Sequence, residues 1–276
     1  MIILLLVFNL VFPVCAYANT LFSEDFETLP TITDLFTESG NTGVITSSSN
    51  KGRNSMRTFL DRDVHANAFR TEVTIKDAIF PFGVDHLEFN RTYEIEFKMY
   101  LDDAFVQDTT AEIFCQMHGE ADGGESSRPP NMGFLLSGNG TTTDYIIRVR
   151  GDTNKTTTVI TTDETYNIGS ADGDIGTWVQ WKVQVYLSYQ AAAGWIKIWK
   201  DGTLVVNASG LETGYNDDVG PYWKFGIYKW PWDPADVEYV SGSTGAEERI
   251  QYYDDIIIRV NNIGVMGGAM IGGTMQ

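Results

Sequence analysis

A two-residue alternation of apolar and polar side chains, repeated in segment after segment, is what most limits how this chain can fold. Thr71, Val73 and Ile75 alternate with Arg70, Glu72, Thr74 and Lys76. Tyr93, Ile95, Phe97 and Met99 alternate with Glu94, Glu96, Lys98 and Tyr100. Tyr145, Ile147 and Val149 alternate with Ile146, Arg148 and Arg150, and Val179, Trp181, Val183, Val185 and Leu187 with Gln180, Lys182, Gln184 and Tyr186. Strands turn successive side chains to opposite faces, so this period builds sheets with one buried face. Gly, Asn, Asp and Thr clusters separate the segments, and Asp201-Gly202 between two such runs is a two-residue hairpin signal. With no heptad, helical period or internal repeat in competition, the pattern predicts an all-β sandwich or barrel. Its first strand is expected at residues 21–26 and its last at 250–260.

Residues 1–18 stand outside that pattern. An apolar run from Ile2 to Val14, broken by Asn9 and Pro13, precedes Ala16-Tyr17-Ala18, a small-x-small cleavage pattern, and reads as a secretory signal peptide. A lipid anchor at Cys15 is the alternative. Residues 19–262 then form one domain, and 263–276, rich in Gly and Met and without charge, read as a flexible tail. Cleavage would leave Cys115 as the single cysteine, so no intrachain disulfide is expected, and a core of this size needs none. Asn90, Asn139, Asn154 and Asn207 head glycosylation sequons. A formal charge of −18 argues against nucleic acid or an anionic membrane as partner. The mature protein is expected to be an extracellular monomer. Residues 119–130 are a polar loop long enough to wall a cleft.

Three segments put polar, reactive groups on one strand face. Arg70 and Glu72 share a face, as do Gln116 and His118, with Ile113, Cys115 and Met117 opposite. Lys224, Gly226 and Tyr228 share a face, with Phe225 and Ile227 opposite. β-Elimination on a uronate needs such a set. The C5 proton becomes acidic once the adjacent carboxylate is neutralised by a cation or an amide donor, which Arg70 or Gln116 could provide. A base of suitable pKa, such as histidine, removes the proton, and an acid such as a tyrosine hydroxyl protonates the departing O4. The scheme requires no metal or organic cofactor.

Arg70-Thr71-Glu72, Gln116-Met117-His118 and Tyr222-Trp223-Lys224-Phe225-Gly226-Ile227-Tyr228 resemble, in order, the three signature strands of the jelly-roll polysaccharide lyases. That group includes the alginate lyases, the heparin-lyase-I type and the glucuronan lyases. The resemblance runs from Phe22-Ser-Glu-Asp-Phe-Glu to Tyr252-Tyr-Asp-Asp-Ile-Ile. It implies an antiparallel two-sheet jelly-roll sandwich (concanavalin A-like) whose concave face carries the cleft. It also implies Arg70 and Gln116 as carboxylate neutralisers, His118 as base and Tyr228 as acid, or as both on the opposite C5 epimer. Lys229-Trp230 stands where alginate lyases usually have Asn-Gln, and Met117 where they favour Ile or Val. Those departures lean towards the heparin-lyase and glucuronan-lyase branch. The expected substrate is therefore a uronic-acid polysaccharide of glucuronan, heparin or alginate type.

Lys224, Arg148, Arg150 and Trp230 are further candidates for substrate binding, although Trp230 and Trp232 each read either as a sugar platform or as a loop pin. Glu24 to Glu27 would meet Asp254-Asp255 if the first and last strands pair, giving hard oxygen ligands, Glu24 and Asp255 among them, for a structural Ca²⁺. Cys115, pointing away from Gln116, is expected in the core. His65 and His86 carry no functional expectation. Two other readings remain open from sequence: a non-catalytic carbohydrate-binding, lectin-like protein on the same fold, and a sandwich glycoside hydrolase, whose usual Glu-x-Asp-x-x-Glu strand is missing.

Overall fold

The structure is a computed structural model and describes residues 17–27, 36–37, 44–62, 69–75 and 86–262. The proposed signal segment up to residue 16, the tail from 263, Lys76 and His65 lie outside the described residues. The strands are β1 (Tyr17–Glu24), β2 (Phe36–Thr37), β3 (Val44–Asn50), β4 (Arg53–Asp61), β5 (Arg70–Ile75), β6 (Arg91–Leu101), β7 (Ala111–His118), β8 (Met132–Gly138), β9 (Thr143–Gly151), β10 (Thr162–Ser170), β11 (Trp178–Leu187), β12 (Gly194–Lys200), β13 (Thr203–Leu211), β14 (Tyr222–Tyr228) and β15 (Glu248–Asn262). They form two antiparallel sheets. One runs β13-β12-β11-β6-β15-β4-β3, with β1 added along the second half of β15; the other runs β10-β9-β8-β7-β14-β5-β2. This is the expected jelly-roll sandwich.

The alternation predicts the first sheet closely. On β6, Tyr93, Ile95, Phe97 and Met99 are buried while Glu94, Glu96 and Lys98 are half-buried, and β11 repeats the pattern. Between the sheets Phe97, Phe114, Phe134, Tyr145, Trp181 and Phe225 pack ring to ring, mostly edge-on, at 5.1–6.1 Å. Truncating one such core aromatic to alanine typically costs about 3–5 kcal/mol. Asp201 and Gly202 have φ of 47° and 76°, as a type I′ turn between β12 and β13 requires.

The second sheet departs from simple alternation. β7 and β14 are buried almost throughout, because loops cover their outward face as well as the core covering their inward one. Register shifts occur on β7 against β8 between Ile113 and Cys115, and on β14 against β7 between Phe225 and Tyr228. Bulges bend a sheet and re-aim side chains. Phe114 and Cys115 are therefore consecutive core residues, and Ile113, expected on the core face, lies on the cleft face instead.

The first and last strands do pair, Glu24 standing opposite Ile256. The proposed calcium ligands are otherwise engaged, however. Asp255 receives Arg53 and Lys98 at 2.6 Å each, Asp254 pairs with Arg53, and Glu24 accepts the Phe26 amide at 2.7 Å. Protein cations thus pair with Asp254 and Asp255, while Glu24 holds a backbone amide.

Candidate active site

Adjacent strands β5, β14, β7, β8 and β9 put the sequence-predicted polar residues on one concave face, in rows set by the ladder register. Arg70 pairs with Tyr228, and Tyr228 with Ile113. Arg148 pairs with Gly133, Gly133 with Gln116, and Gln116 with Lys224. Neighbours in a row are about 4.8 Å apart, so this second row extends roughly 14 Å from Arg148 to Lys224. The glycine at its middle, Gly133, leaves the floor low between them. In a third row His118 stands opposite Tyr222.

Two adjoining stretches of cleft result. One, of about 360 Å³, is lined by Arg70, Gln116, His118, Arg148, Arg150, Tyr228 and Trp230. The other, of about 410 Å³, is lined by Arg70, His118, Tyr222 and Lys224 among others. Arg70 and His118 belong to both and so mark the junction. Every residue expected from sequence to act on or bind a polysaccharide lines this cleft.

Beneath Arg70 and Gln116 lies the carboxylate of Glu72, fully buried. It accepts Gln116 Nε2 at 2.5 Å and lies 3.4 Å from Arg70 Nε. The charge-assisted bond fixes the Gln116 amide, and the ion pair holds Arg70 beside it. Arg70 also stacks on the Tyr228 ring, 4.2 Å from its centroid. Burial pushes the Tyr228 hydroxyl above the ordinary tyrosine value, while Arg70 pulls in the opposite direction. His118 Nδ1 is 2.6 Å from the Gly119 carbonyl, which assigns the proton to Nδ1 and the ring lone pair to Nε2. The ring lies 6.2 Å from that of Tyr222, over which Lys224 Nζ stands at 5.4 Å.

At the β9 end, Arg148 gives Asp163 two bonds of 3.0 Å and Arg150 one of 3.1 Å. Burial, and then the neighbouring Arg148, lowers the pKa of Arg150. At the other end, Trp230 lies 6.0 Å from the Tyr228 ring and donates to Glu238 at 2.8 Å. Trp232 is buried and bonded to Thr244, so of the two tryptophans Trp230 faces the cleft and Trp232 pins the loop. Cys115 is buried in the core as expected, and burial holds its thiol well above the usual range.

Two cleft residues, and a histidine packed against one of them, were not singled out from sequence. Arg128 reaches in from the 119–130 loop, stacked 4.5 Å over Tyr215 and paired with Glu125 and Asp217. It is the one arginine of that loop, a signal that was available. Those two acids and Asp122 bring ligand atoms within 4.8 Å of one another, but Arg128 already pairs with two of the three. Tyr222 was quoted only as part of a motif, yet it is the tyrosine directly across from His118. His86 packs edge-on against Tyr222 at 5.5 Å.

A family model described as "Polysaccharide lyase" matches residues 22–257. A sequence search of curated proteins returns no match. Among solved structures, the endo-β-1,4-glucuronan lyase of the fungus Trichoderma reesei superposes with a TM-score of 0.68 at 16% identity, covering 87% of this chain and 95% of its own. Alginate lyase vAL-1 from a Chlorella virus gives 0.54 at 9% identity, covering 87% and 99%. Alginate lyase PA1167 of Pseudomonas aeruginosa gives 0.52 at 11%, covering 87% and 97%. At such identities these likenesses concern the fold.

Proposed function

This chain belongs to the polysaccharide lyase family, and from that premise we propose that it cuts a uronic-acid-containing polysaccharide by β-elimination, leaving a 4,5-unsaturated end. One observation carries the reading: a guanidinium, an amide, an imidazole tied at Nδ1 and a phenol, from three adjacent strands, line one cleft. Arg70 and Gln116 neutralise the uronate carboxylate, which makes the C5 proton removable. His118 Nε2 takes that proton. The freed electron pair forms the C4–C5 double bond as the C4–O4 bond breaks, and Tyr228 gives its proton to O4. A phenol whose pKa burial has raised stays protonated at neutral pH, as an acid must. On the opposite C5 epimer Tyr228 would have to start as the phenolate, take the C5 proton and hand it to O4. The scheme draws on side chains alone.

Lys224, Arg128, Arg148 and Arg150 would hold carboxylates of neighbouring sugars, and Trp230 would stack on a ring. The names of the neighbouring structures support a polyuronate and put glucuronan first among those to try. The apolar N-terminal run supports secretion. The test is to follow the ultraviolet absorbance of unsaturated uronate over glucuronan, alginate, heparin, heparan sulfate and ulvan. A rise on at least one is expected without added cofactor. Binding without any rise would refute elimination and favour a carbohydrate-binding role.

A further inference from the structure

Resting on the reading above, we propose that Tyr253, on the opposite sheet, is the positioning residue that holds Tyr228 in register with Gln116 and His118. Arg249, Gln251 and Tyr253 occupy alternate positions of β15, and all three are buried. Tyr253 Oη lies 2.8 Å from the Phe114 carbonyl and 3.2 Å from the Gly226 carbonyl. These two carbonyls belong to the stretches where β7 and β14 go out of step. At a bulge the ladder is locally disrupted, and a buried carbonyl then needs another donor. The phenol of Tyr253, with one proton to give, reaches the carbonyls of both strands from across the core.

The same hydroxyl lies 2.5 Å from Gln251 Oε1, and Gln251 Nε2 donates to Glu112 Oε1 at 2.9 Å. Glu112 Oε2 takes Arg249 Nε at 2.6 Å and Lys229 Nζ at 3.2 Å, and Asp108 lies 3.1 Å from Lys229. Lys229 immediately follows Tyr228 and is fully buried. Tyr228 is thus bracketed in sequence by Gly226 and Lys229, both held by one buried network that never enters the cleft. The ladder alone sets Tyr228 opposite Ile113, away from the His118 row, so the bend at the bulges decides where its hydroxyl stands.

The test compares Tyr253→Phe with Val183→Ala, a core truncation remote from the network that lowers Tm by removing packing. On whichever polymer the wild type cuts, Tyr253→Phe should lower kcat by about 10²-fold, the cost typical of a reacting group misplaced by about 1 Å, with KM within about twofold. Val183→Ala should leave kcat near wild type at temperatures where both are folded. Should Tyr253→Phe not fold, Gln251→Met, which keeps the hydroxyl but unties it from Glu112, should lower kcat in the same direction by less. An unchanged kcat, or an equal loss in Val183→Ala, overturns the proposal. Crystal structures provide a readout independent of turnover: residues 226–228 should shift relative to His118 in Tyr253→Phe. An unmoved segment would overturn the positioning role even if the wild type proved to cut nothing, whereas an inactive wild type with a shifted segment would count against the elimination reading alone.

Discussion

At the scale of single residues, the cleft shows how neighbours tune one phenol. Burial raises the Tyr228 pKa above its ordinary value of about 10, and Arg70 opposes that rise. A raised value means the folded state holds the proton more tightly than the unfolded chain. The associated stability is present in full below about pH 10 and is lost as pH rises through the folded-state value. Arg70→Gln removes the opposing influence, so Tyr228 should titrate at still higher pH. The phenolate absorbance difference between each background and its Tyr228→Phe partner measures this, and a downward move would show that the stacked guanidinium does not govern the phenol. Tyr228→Phe itself should lower kcat by about 10²–10⁴-fold, the usual contribution of a general acid, with KM little changed. Tyr222→Phe, made alongside, discriminates between the two tyrosines: a larger loss in Tyr222→Phe would transfer the acid role to the residue facing His118.

At the scale of elements, the bend of the second sheet depends on one glycine and one buried ion cluster. Gly226 has φ of 136°, and a Cβ there would sit 2.2 Å from the Thr71 carbonyl. Gly226→Ala must therefore push β5 away from β14. A loss of at least about 1–3 kcal/mol is expected from the backbone conformation alone, together with loss of turnover, since Arg70 and Tyr228 ride on those two strands. Denaturant unfolding and kinetics on the same preparation check both. Within the ion cluster, burial acts to raise the Asp108 pKa, but Lys229 and Arg249 outweigh it and hold the group below the usual carboxylate value. A lowered value contributes stability above about pH 4, lost as pH falls through the folded-state value. Lys229→Met removes one of the cations and should cost about 3–5 kcal/mol, as breaking a buried pair does. With less to hold Asp108 ionised, acid unfolding of Lys229→Met should begin at a higher pH than in wild type, which circular dichroism against pH would follow.

At the scale of the whole molecule, an acidic protein is asked to hold an acidic polymer. The formal charge of −18 repels a polyanion at a distance, whereas Arg70, Arg128, Arg148, Arg150 and Lys224 gather in one cleft. Repulsion between remote surface charges is screened over about 8–10 Å near physiological salt, and contacts inside a cleft are screened less. kcat/KM should therefore rise from very low to moderate salt before falling at high salt. A monotonic fall across that range, measured at constant pH on a short polyuronate, would mean the cleft's own field dominates. Lys224→Ala should raise KM more than it lowers kcat, because the residue serves a sugar beside the one being cut.

The sequence by itself determined the fold class, because a period of two with turn signals between segments can bury its apolar side chains only as sheets packed face to face. It also put Arg70, Gln116, His118 and Lys224 on strand faces that the resemblance sets in order, with Arg148 and Arg150 as open candidates, and the fold brought all six into one cleft. Tertiary structure decided what local alternation cannot encode. The bulges moved Ile113 to the cleft face and put Phe114 and Cys115 together in the core, because a ladder slip depends on the partner strand rather than on the strand's own pattern. Arg53 and Lys98 came to pair with Asp254 and Asp255 in the middle of β15, contacts that a strand's own pattern does not reveal. Arg128 entered the cleft from a loop without any period, and the Tyr253 network reached across between sheets. Contacts of that kind join residues more than a hundred positions apart, Tyr253 to Phe114 among them, and only the packed sandwich brings them within a hydrogen bond's length.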